Sequence, residues 1–139
     1  MTSRILIGSS AVILLYLGSV HLAYTLLSHQ FSPADRQLET SMKQVAPRIS
    51  SEMTMWKAWV GFNLSHSMGL LLFGLIYGYM VVYRWEVLRT SYFLAGTGLL
   101  MLVGYVVLAR IFWFTTPLIA VSAATLLYVV GFVYPFALR

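Results

Sequence analysis

Hydrophobic residues along this chain fall into four long runs separated by shorter polar segments. Each run is about long enough, at 1.5 Å per residue, to cross the roughly 30 Å hydrocarbon core of a bilayer as an α-helix. The pattern predicts an all-α fold, an integral membrane four-helix bundle, with spans over residues 5–28, 55–83, 92–109 and 117–138. The later connections are short, so consecutive spans are expected to be antiparallel neighbours. A chain of 139 residues has room for one transmembrane domain, residues 1–139.

The connection between the first two spans has the pattern of a short amphipathic helix. Ser32, Pro33 and Asp35 supply a capping residue, a first-turn proline and a first-turn acid in the order that starts a helix. Apolar residues then recur at helical spacing until Pro47, namely Leu38, Met42 and Val45. We expect this helix to lie on the extracytoplasmic membrane surface or to cap the bundle. An ordered loop is the alternative.

The composition agrees with a membrane protein and excludes several kinds of chemistry. Sixty per cent of the residues are hydrophobic and nine per cent are charged, against roughly a quarter charged in soluble domains. The chain has no cysteine, which excludes disulfides, thiolate metal sites and cysteine nucleophiles. The formal net charge is +5, but the basic residues are scattered at span borders. We therefore expect contact with membrane lipids and none with nucleic acid.

The charged residues at the span ends suggest an orientation. One side of the bundle collects Arg4, Arg84, Arg89 and Arg139, with Glu86. This side is predicted to be cytoplasmic, which places both termini inside, although basic residues on the opposite side weaken the rule. The first apolar run is longer than the 7–15-residue core of a signal peptide, so we expect a retained signal anchor.

Polar and aromatic side chains follow one face of the second span. Steps of three and four residues place five of them together: Trp56, Trp59, Asn63, His66 and Ser67. Polar groups are costly in hydrocarbon, so this face is expected to turn toward protein or a wet cavity. In the first span, His21 and Thr25 form a similar stripe.

The two histidines are expected to face each other. His66 lies about 15 Å along the helix from Trp56, and His21 lies about 10 Å before Ser28, so their depths differ by about one turn. One interpretation is an outward-facing polar pocket that binds an amphiphile, ligates haem or a metal ion, or moves a proton. The alternative is that each imidazole bonds a backbone carbonyl or hydroxyl and only fixes helix packing.

A metal site on these residues is a further hypothesis. His21 and His66 are the candidate ligands, and His29 is a third, although we expect His29 to meet water and headgroups. The two histidines lack the compact spacing of helical zinc motifs, and carboxylate partners occur only in the first connection. Haem or a metal ion is therefore an alternative cofactor, not the favoured one.

Arg110 ends the third span beside the aromatic residues 112–114. With Trp56 and Trp59 it is a candidate for a cationic, aromatic vestibule that receives an anionic headgroup. The alternative, which we favour, is an aromatic belt with a snorkelling arginine.

Small residues predict close helix packing. Two strips on the second span, and either of two pairs on the third, have four-residue or similar helical spacing. The strips are Gly61, Ser65 and Gly69, and Gly74 and Gly78; the pairs are Gly96 and Gly104, or Ala95 and Gly98.

Residues 53–69 and 73–79, with the WKAWxGFNxSHSxG pattern of the second span, resemble a family of small uncharacterised bacterial four-span membrane proteins. The resemblance covers about the first 80 residues and includes residues 21–25 and 47–50. It implies a protein of the bacterial inner membrane. It implies no activity.

The leading functional hypothesis is binding of a lipid or other amphiphilic small molecule in the polar pocket, or service as an accessory subunit. A small membrane enzyme or a haem or metal redox protein using His21 and His66 is second. A transporter is third, because the later spans contain no carboxylate to couple ions. Expected partners are membrane lipids, and a homo-oligomer or a larger membrane complex is open.

Overall fold

The computed structural model describes the backbone of residues 1–137 and the side chains of residues 1–134. Every regular element within residues 1–137 is an α-helix. In chain order these are α1 (Thr2–Leu27), α2 (Arg36–Gln44), α3 (Met55–Tyr83), α4 (Trp85–Thr90), α5 (Tyr92–Phe112) and α6 (Thr115–Ala137). The fold is an all-α four-helix membrane bundle, which confirms the fold class predicted from hydropathy.

In the described part of the chain, four helices are long and apolar enough to cross a membrane: α1, α3, α5 and, as far as Tyr134, α6. The chain is thus a multi-pass membrane protein. The bounds of α3 match the predicted second span, whereas α1 and α6 begin slightly earlier and α5 ends slightly later than predicted. The predicted end of the fourth span at residue 138, and Arg139, lie outside the described residues.

The chain divides into two compact units. The first comprises Met1–Leu17 and Leu70–Arg139, and the second comprises Gly18–Gly69. Helices α1 and α3 each contribute one part to each unit. A single domain over the whole chain stays a prediction.

The first unit has a core of apolar side chains from five helices, α1, α3, α4, α5 and α6. Its fully or almost fully buried members include Ile7, Ala11, Leu14, Phe73, Tyr77, Leu102, Ala124 and Tyr128. On α1 they recur at steps of three and four residues, the spacing of one helical face. The Tyr77 hydroxyl donates to the Leu94 carbonyl at 2.7 Å, so this buried phenol has its hydrogen bond.

Two glycines of the first unit permit close packing. A Cβ added at Gly74 would meet the Ala11 carbonyl oxygen at 2.8 Å and the Leu15 amide nitrogen at 2.9 Å. At Gly98 an added Cβ would collide with Tyr77 and Tyr128. By contrast, apart from the neighbouring backbone of the same helix and the adjacent residues, no described atom lies within 4 Å of a Cβ added at Gly61, Gly96 or Gly104. The small-residue pattern thus marks close approach at some of its positions only.

Arg4 joins the start of α1 to the end of α3 within the first unit. Its Nη2 donates to the carbonyls of Val81 at 2.8 Å and Val82 at 2.9 Å, and its guanidinium lies over the Trp85 ring at 5.8 Å. The last carbonyls of a helix have no partner within that helix and carry partial negative charge. Arg4 therefore caps α3, and in this unit the two helices run antiparallel.

The short helix α2 is present in the second unit, but it starts later than predicted. Its N-cap is Asp35, whose carboxylate accepts a hydrogen bond from the Gln37 amide at 2.7 Å. The prediction of Ser32 as the cap is wrong, because the Ser32 amide donates to the His29 carbonyl in a turn. None of the residues of α2 is buried.

Helix α4 lies where the sequence predicts only a short connection between the second and third spans. Ser91 follows it, and its side chain caps α5 by accepting from the Leu94 amide. Leu88 is the buried residue of α4, and Arg89 pairs with Glu86 on its exposed side.

Candidate functional site

A cleft of about 340 Å³ lies in the second unit, where α1 ends and α3 begins. Its walls combine hydroxyl, amide and aromatic groups, contributed by Thr25, Ser28, Phe31, Trp56, Trp59 and Asn63. Four of these residues, Thr25, Trp56, Trp59 and Asn63, are predicted site residues. The cleft is also lined by His29, which the sequence analysis named as a third candidate metal ligand. The folded chain brings them to one place because residues 25 and 56 lie at the joined ends of two consecutive helices.

Asn63 is the centre of the polar contacts beside this cleft. It is only 6 % exposed, its Oδ1 lies 3.1 Å from His21 Nε2, and its Nδ2 donates to the Trp59 carbonyl at 2.9 Å. Because the amide nitrogen faces a carbonyl, the amide oxygen faces the imidazole and can only accept. We therefore assign the proton of neutral His21 to Nε2.

The structure brings the His21 and His66 rings together. Their centroids are 4.9 Å apart in an edge-to-face arrangement, and both residues are half-buried. The ring of Phe31 packs against His21 at a centroid distance of 4.4 Å. His21 thus lies behind the Phe31 ring, with His66 next to it, and the part of both histidines in binding stays a prediction.

This geometry restricts how a metal or haem iron could be held. His21 Nε2 is engaged with Asn63, so His21 would have to ligate through Nδ1 or give up that hydrogen bond. Within the described residues, no group of three or more His, Cys, Asp or Glu side chains is placed to hold a metal ion. His21 and His66 remain the two candidate ligands.

Trp59 fixes the chain that follows α1. Its indole Nε1 donates to the Phe31 carbonyl at 2.9 Å. Phe31 and Trp59 also line a second cleft, of about 400 Å³, with Pro33 and Met42. These two residues therefore form a wall common to both clefts.

Helix α2 brings charge close to Trp56. The Lys43 ammonium lies 5.0 Å from the centre of the Trp56 ring, a cation–π distance. Lys43 also donates to Glu39, and this bond lowers the pKa of the Glu39 carboxyl. The pair is therefore complete above the ordinary Glu pKa and is lost as the pH falls through the lowered value.

Four predicted site residues line neither cleft: His21 and His66, described above, and Ser67 and Arg110. Ser67 is fully buried, and its hydroxyl donates to the Asn63 carbonyl within α3 at 3.0 Å. Arg110 is exposed in the last turn of α5 and belongs to the first unit. The proposal of a vestibule containing Arg110 stays a prediction.

Phe31 is one of the cleft residues that the sequence analysis missed, along with Leu26 and Val60. It lies outside the predicted spans and has no polar atom in its side chain, so neither hydropathy nor chemistry selects it. A usable signal exists in retrospect: it is an aromatic residue placed directly after a predicted span end, where aromatic side chains commonly lie.

Comparison with family models, with curated proteins and with solved structures gives no match for this chain. Its function is therefore argued from the geometry of the second unit. The resemblance to small bacterial four-span proteins stays a prediction.

Proposed function

We propose that this protein binds an amphiphilic small molecule, such as a membrane lipid, at the cleft of the second unit. One observation carries the proposal: the cleft sets Thr25 and Asn63 beside Trp56 and Trp59. Ligand sites commonly combine apolar and aromatic walls with a few placed polar groups. A molecule with a polar head and an apolar tail satisfies both kinds of wall.

The position of the cleft along the helices supports the same proposal. It lies at the last residues of α1 and the first residues of α3, which is the headgroup level of two membrane spans. Exposed apolar side chains continue along both helices, with Leu26 59 % exposed and Phe62 68 % exposed. An acyl chain can lie along these surfaces while its headgroup occupies the cleft.

The proposal includes a place in the cell. We propose a protein of the bacterial inner membrane with both termini in the cytoplasm. Arg4, Arg84 and Arg89 support this orientation, because they lie at the end of the first unit where Arg4 caps α3 and α4 follows, and cytoplasmic segments are enriched in arginine.

The adjacent imidazoles support a second candidate, a membrane enzyme or a haem or metal redox protein. The observation in its favour is the 4.9 Å separation of the His21 and His66 rings. It ranks below binding, because the Nε2 atom of His21 is already hydrogen-bonded to Asn63. A Soret band or stoichiometric metal in the purified protein would place this candidate first.

Native mass spectrometry of the purified protein tests the leading proposal. We expect a retained amphiphile at one copy per chain, and Trp56→Leu is expected to reduce its occupancy about tenfold, the effect of ~1.4 kcal/mol. The matched control is Trp85→Leu. Both tryptophans are half-buried, start a helix and carry a basic side chain over the ring.

The control variant is expected to retain the amphiphile at the level of the unaltered protein. Equal occupancy in the unaltered protein and both variants would show that the amphiphile does not bind at this cleft. A purified protein that retains no amphiphile under any condition would contradict amphiphile binding itself.

A further inference from the structure

We infer that the headgroup bound in this cleft is a primary ammonium, as in a phospholipid that ends in ethanolamine. The inference rests on the proposed function and specifies its ligand. It follows from the direction of the hydrogen bonds in the cleft, from its aromatic walls and from the charges of its lining.

The two hydroxyl groups at the end of α1 already donate their protons in hydrogen bonds to backbone carbonyls. Thr25 Oγ1 donates to the His21 carbonyl at 2.8 Å, and Ser28 Oγ donates to the Tyr24 carbonyl at 2.8 Å. A hydroxyl has one proton and two lone pairs. Toward the cleft, both oxygens can therefore act only as acceptors, which suits a ligand that brings N–H donors.

Two donors near the cleft are committed to protein partners. The Trp59 indole N–H bonds the Phe31 carbonyl, and one proton of the Asn63 amide bonds the Trp59 carbonyl. Among the ten described residues that line the cleft, none is Lys, Arg, Asp or Glu. The lining also includes His29 and Ser32, but it offers no lysine or arginine to replace the water of a phosphate or carboxylate headgroup.

The aromatic walls favour a cation. Phe31, Trp56 and Trp59 line the cleft, and the faces of such rings attract ammonium groups. The Lys43 ammonium already lies 5.0 Å from the centre of the Trp56 ring, so a ligand ammonium would use the rings of Phe31 and Trp59. A trimethylammonium group could use the rings, but it has no N–H to give to Thr25 and Ser28. A primary ammonium uses both features.

The test compares three phospholipids with identical acyl chains and with ethanolamine, choline or glycerol headgroups. Each is titrated into the full-length protein in a neutral detergent, and binding is counted by native mass spectrometry. We expect the ethanolamine lipid to bind about fivefold more tightly than either of the others. Over the glycerol lipid this is about the fold-change that one exposed cation–π contact gives, and over the choline lipid it is about the fold-change that one net hydrogen bond gives. The shared phosphate and tails cancel in the comparison.

A pair of valine variants separates the acceptor from general effects of the substitution. Thr25→Val removes one of the two cleft hydroxyl oxygens and is expected to reduce the preference over the choline lipid. Thr125→Val is the control, because Thr125 is also half-buried and also bonds the carbonyl four residues earlier, at 2.7 Å from Val121 O, but on α6. The control variant is expected to keep the fivefold preference.

The outcomes distinguish this inference from the proposed function. Equal binding of the three lipids, tighter binding of the glycerol lipid, or a preference unchanged by Thr25→Val would overturn the ammonium headgroup and leave amphiphile binding in place. Binding of none of the three would overturn both.

Discussion

At the scale of single residues, the buried hydroxyl groups of Ser10 and Ser67 differ in their hydrogen bonding. Both side chains are 0 % exposed. Ser67 Oγ donates to the Asn63 carbonyl at 3.0 Å, whereas Ser10 Oγ has no hydrogen-bond partner among the described residues. An unsatisfied buried polar group costs about 1–3 kcal/mol, while a satisfied one contributes about 0.5–1.5 kcal/mol.

Alanine substitutions at these two positions are therefore expected to have opposite effects. Ser10→Ala should raise the free energy of unfolding by about 1 kcal/mol, and Ser67→Ala should lower it by about 1 kcal/mol. Each serves as the control for the other, because both remove one oxygen from a fully buried helical serine. Thermal unfolding in detergent, followed by circular dichroism, measures the difference. Destabilisation by Ser10→Ala would mean that its hydroxyl has a partner.

The residue scale also shows what sequence can reveal about the site. The depths of His21 and His66 could be counted from the span ends, and the two rings do meet at 4.9 Å. Which ring nitrogen of His21 carries the proton could not be derived from the sequence. It depends on the Asn63 amide, which is oriented by its hydrogen bond to the Trp59 carbonyl. The sequence did not reveal Phe31 as a cleft residue, because its position depends on the hydrogen bond that the Trp59 indole donates to its carbonyl.

At the scale of elements, similar glycines have different surroundings. Gly74 on α3 meets the backbone of α1 at Ala11 and Leu15, whereas Gly96 on α5 has no described atom of another helix within 4 Å of an added Cβ. Both residues are helical, so both would gain helix propensity on substitution by alanine. Only the surrounding helices decide the sign of the effect.

Gly74→Ala is expected to destabilise the protein by about 1–3 kcal/mol, since backbone atoms cannot yield as a flexible side chain can. Gly96→Ala is expected to be neutral or to stabilise by up to about 1 kcal/mol. The same unfolding measurement compares the two variants. Equal melting temperatures would argue against the close approach of α1 and α3 at this position.

Hydropathy located the spans well, because a membrane helix must satisfy its backbone internally and must be long enough to cross. It missed α4, whose six residues are too few and too mixed in polarity to give a periodic signal. It also misplaced the start of α2, because both Ser32 and Asp35 are good caps. The choice between them depended on the turn that His29 makes with Ser32.

At the scale of the whole molecule, the proposed orientation gives the two ends of the bundle different surroundings. Ser51, in the connection after α2, and Thr90, at the end of α4, are both exposed. The natural chain has no cysteine, so one introduced thiol reports on one position alone. The orientation can therefore be tested without removing any other reactive group.

A membrane-impermeant maleimide is expected to modify Ser51→Cys in intact bacterial cells, because the proposal places this connection outside. Thr90→Cys is expected to react only after the cells are opened. Reaction of both variants in opened cells controls for the reactivity of each thiol. The reverse pattern would invert the topology and place both termini outside the cytoplasm.

The contact of Arg4 with the end of α3 also has a consequence for biosynthesis. Translation delivers the N-terminal residues first, and Val81 follows Arg4 by 77 positions. While the ribosome is still adding that stretch, the guanidinium must rely on water and lipid phosphates at the membrane surface. Its carbonyl partners arrive only with the emergence of the second long span, so a nascent chain arrested earlier carries an arginine whose final acceptors have not yet been made.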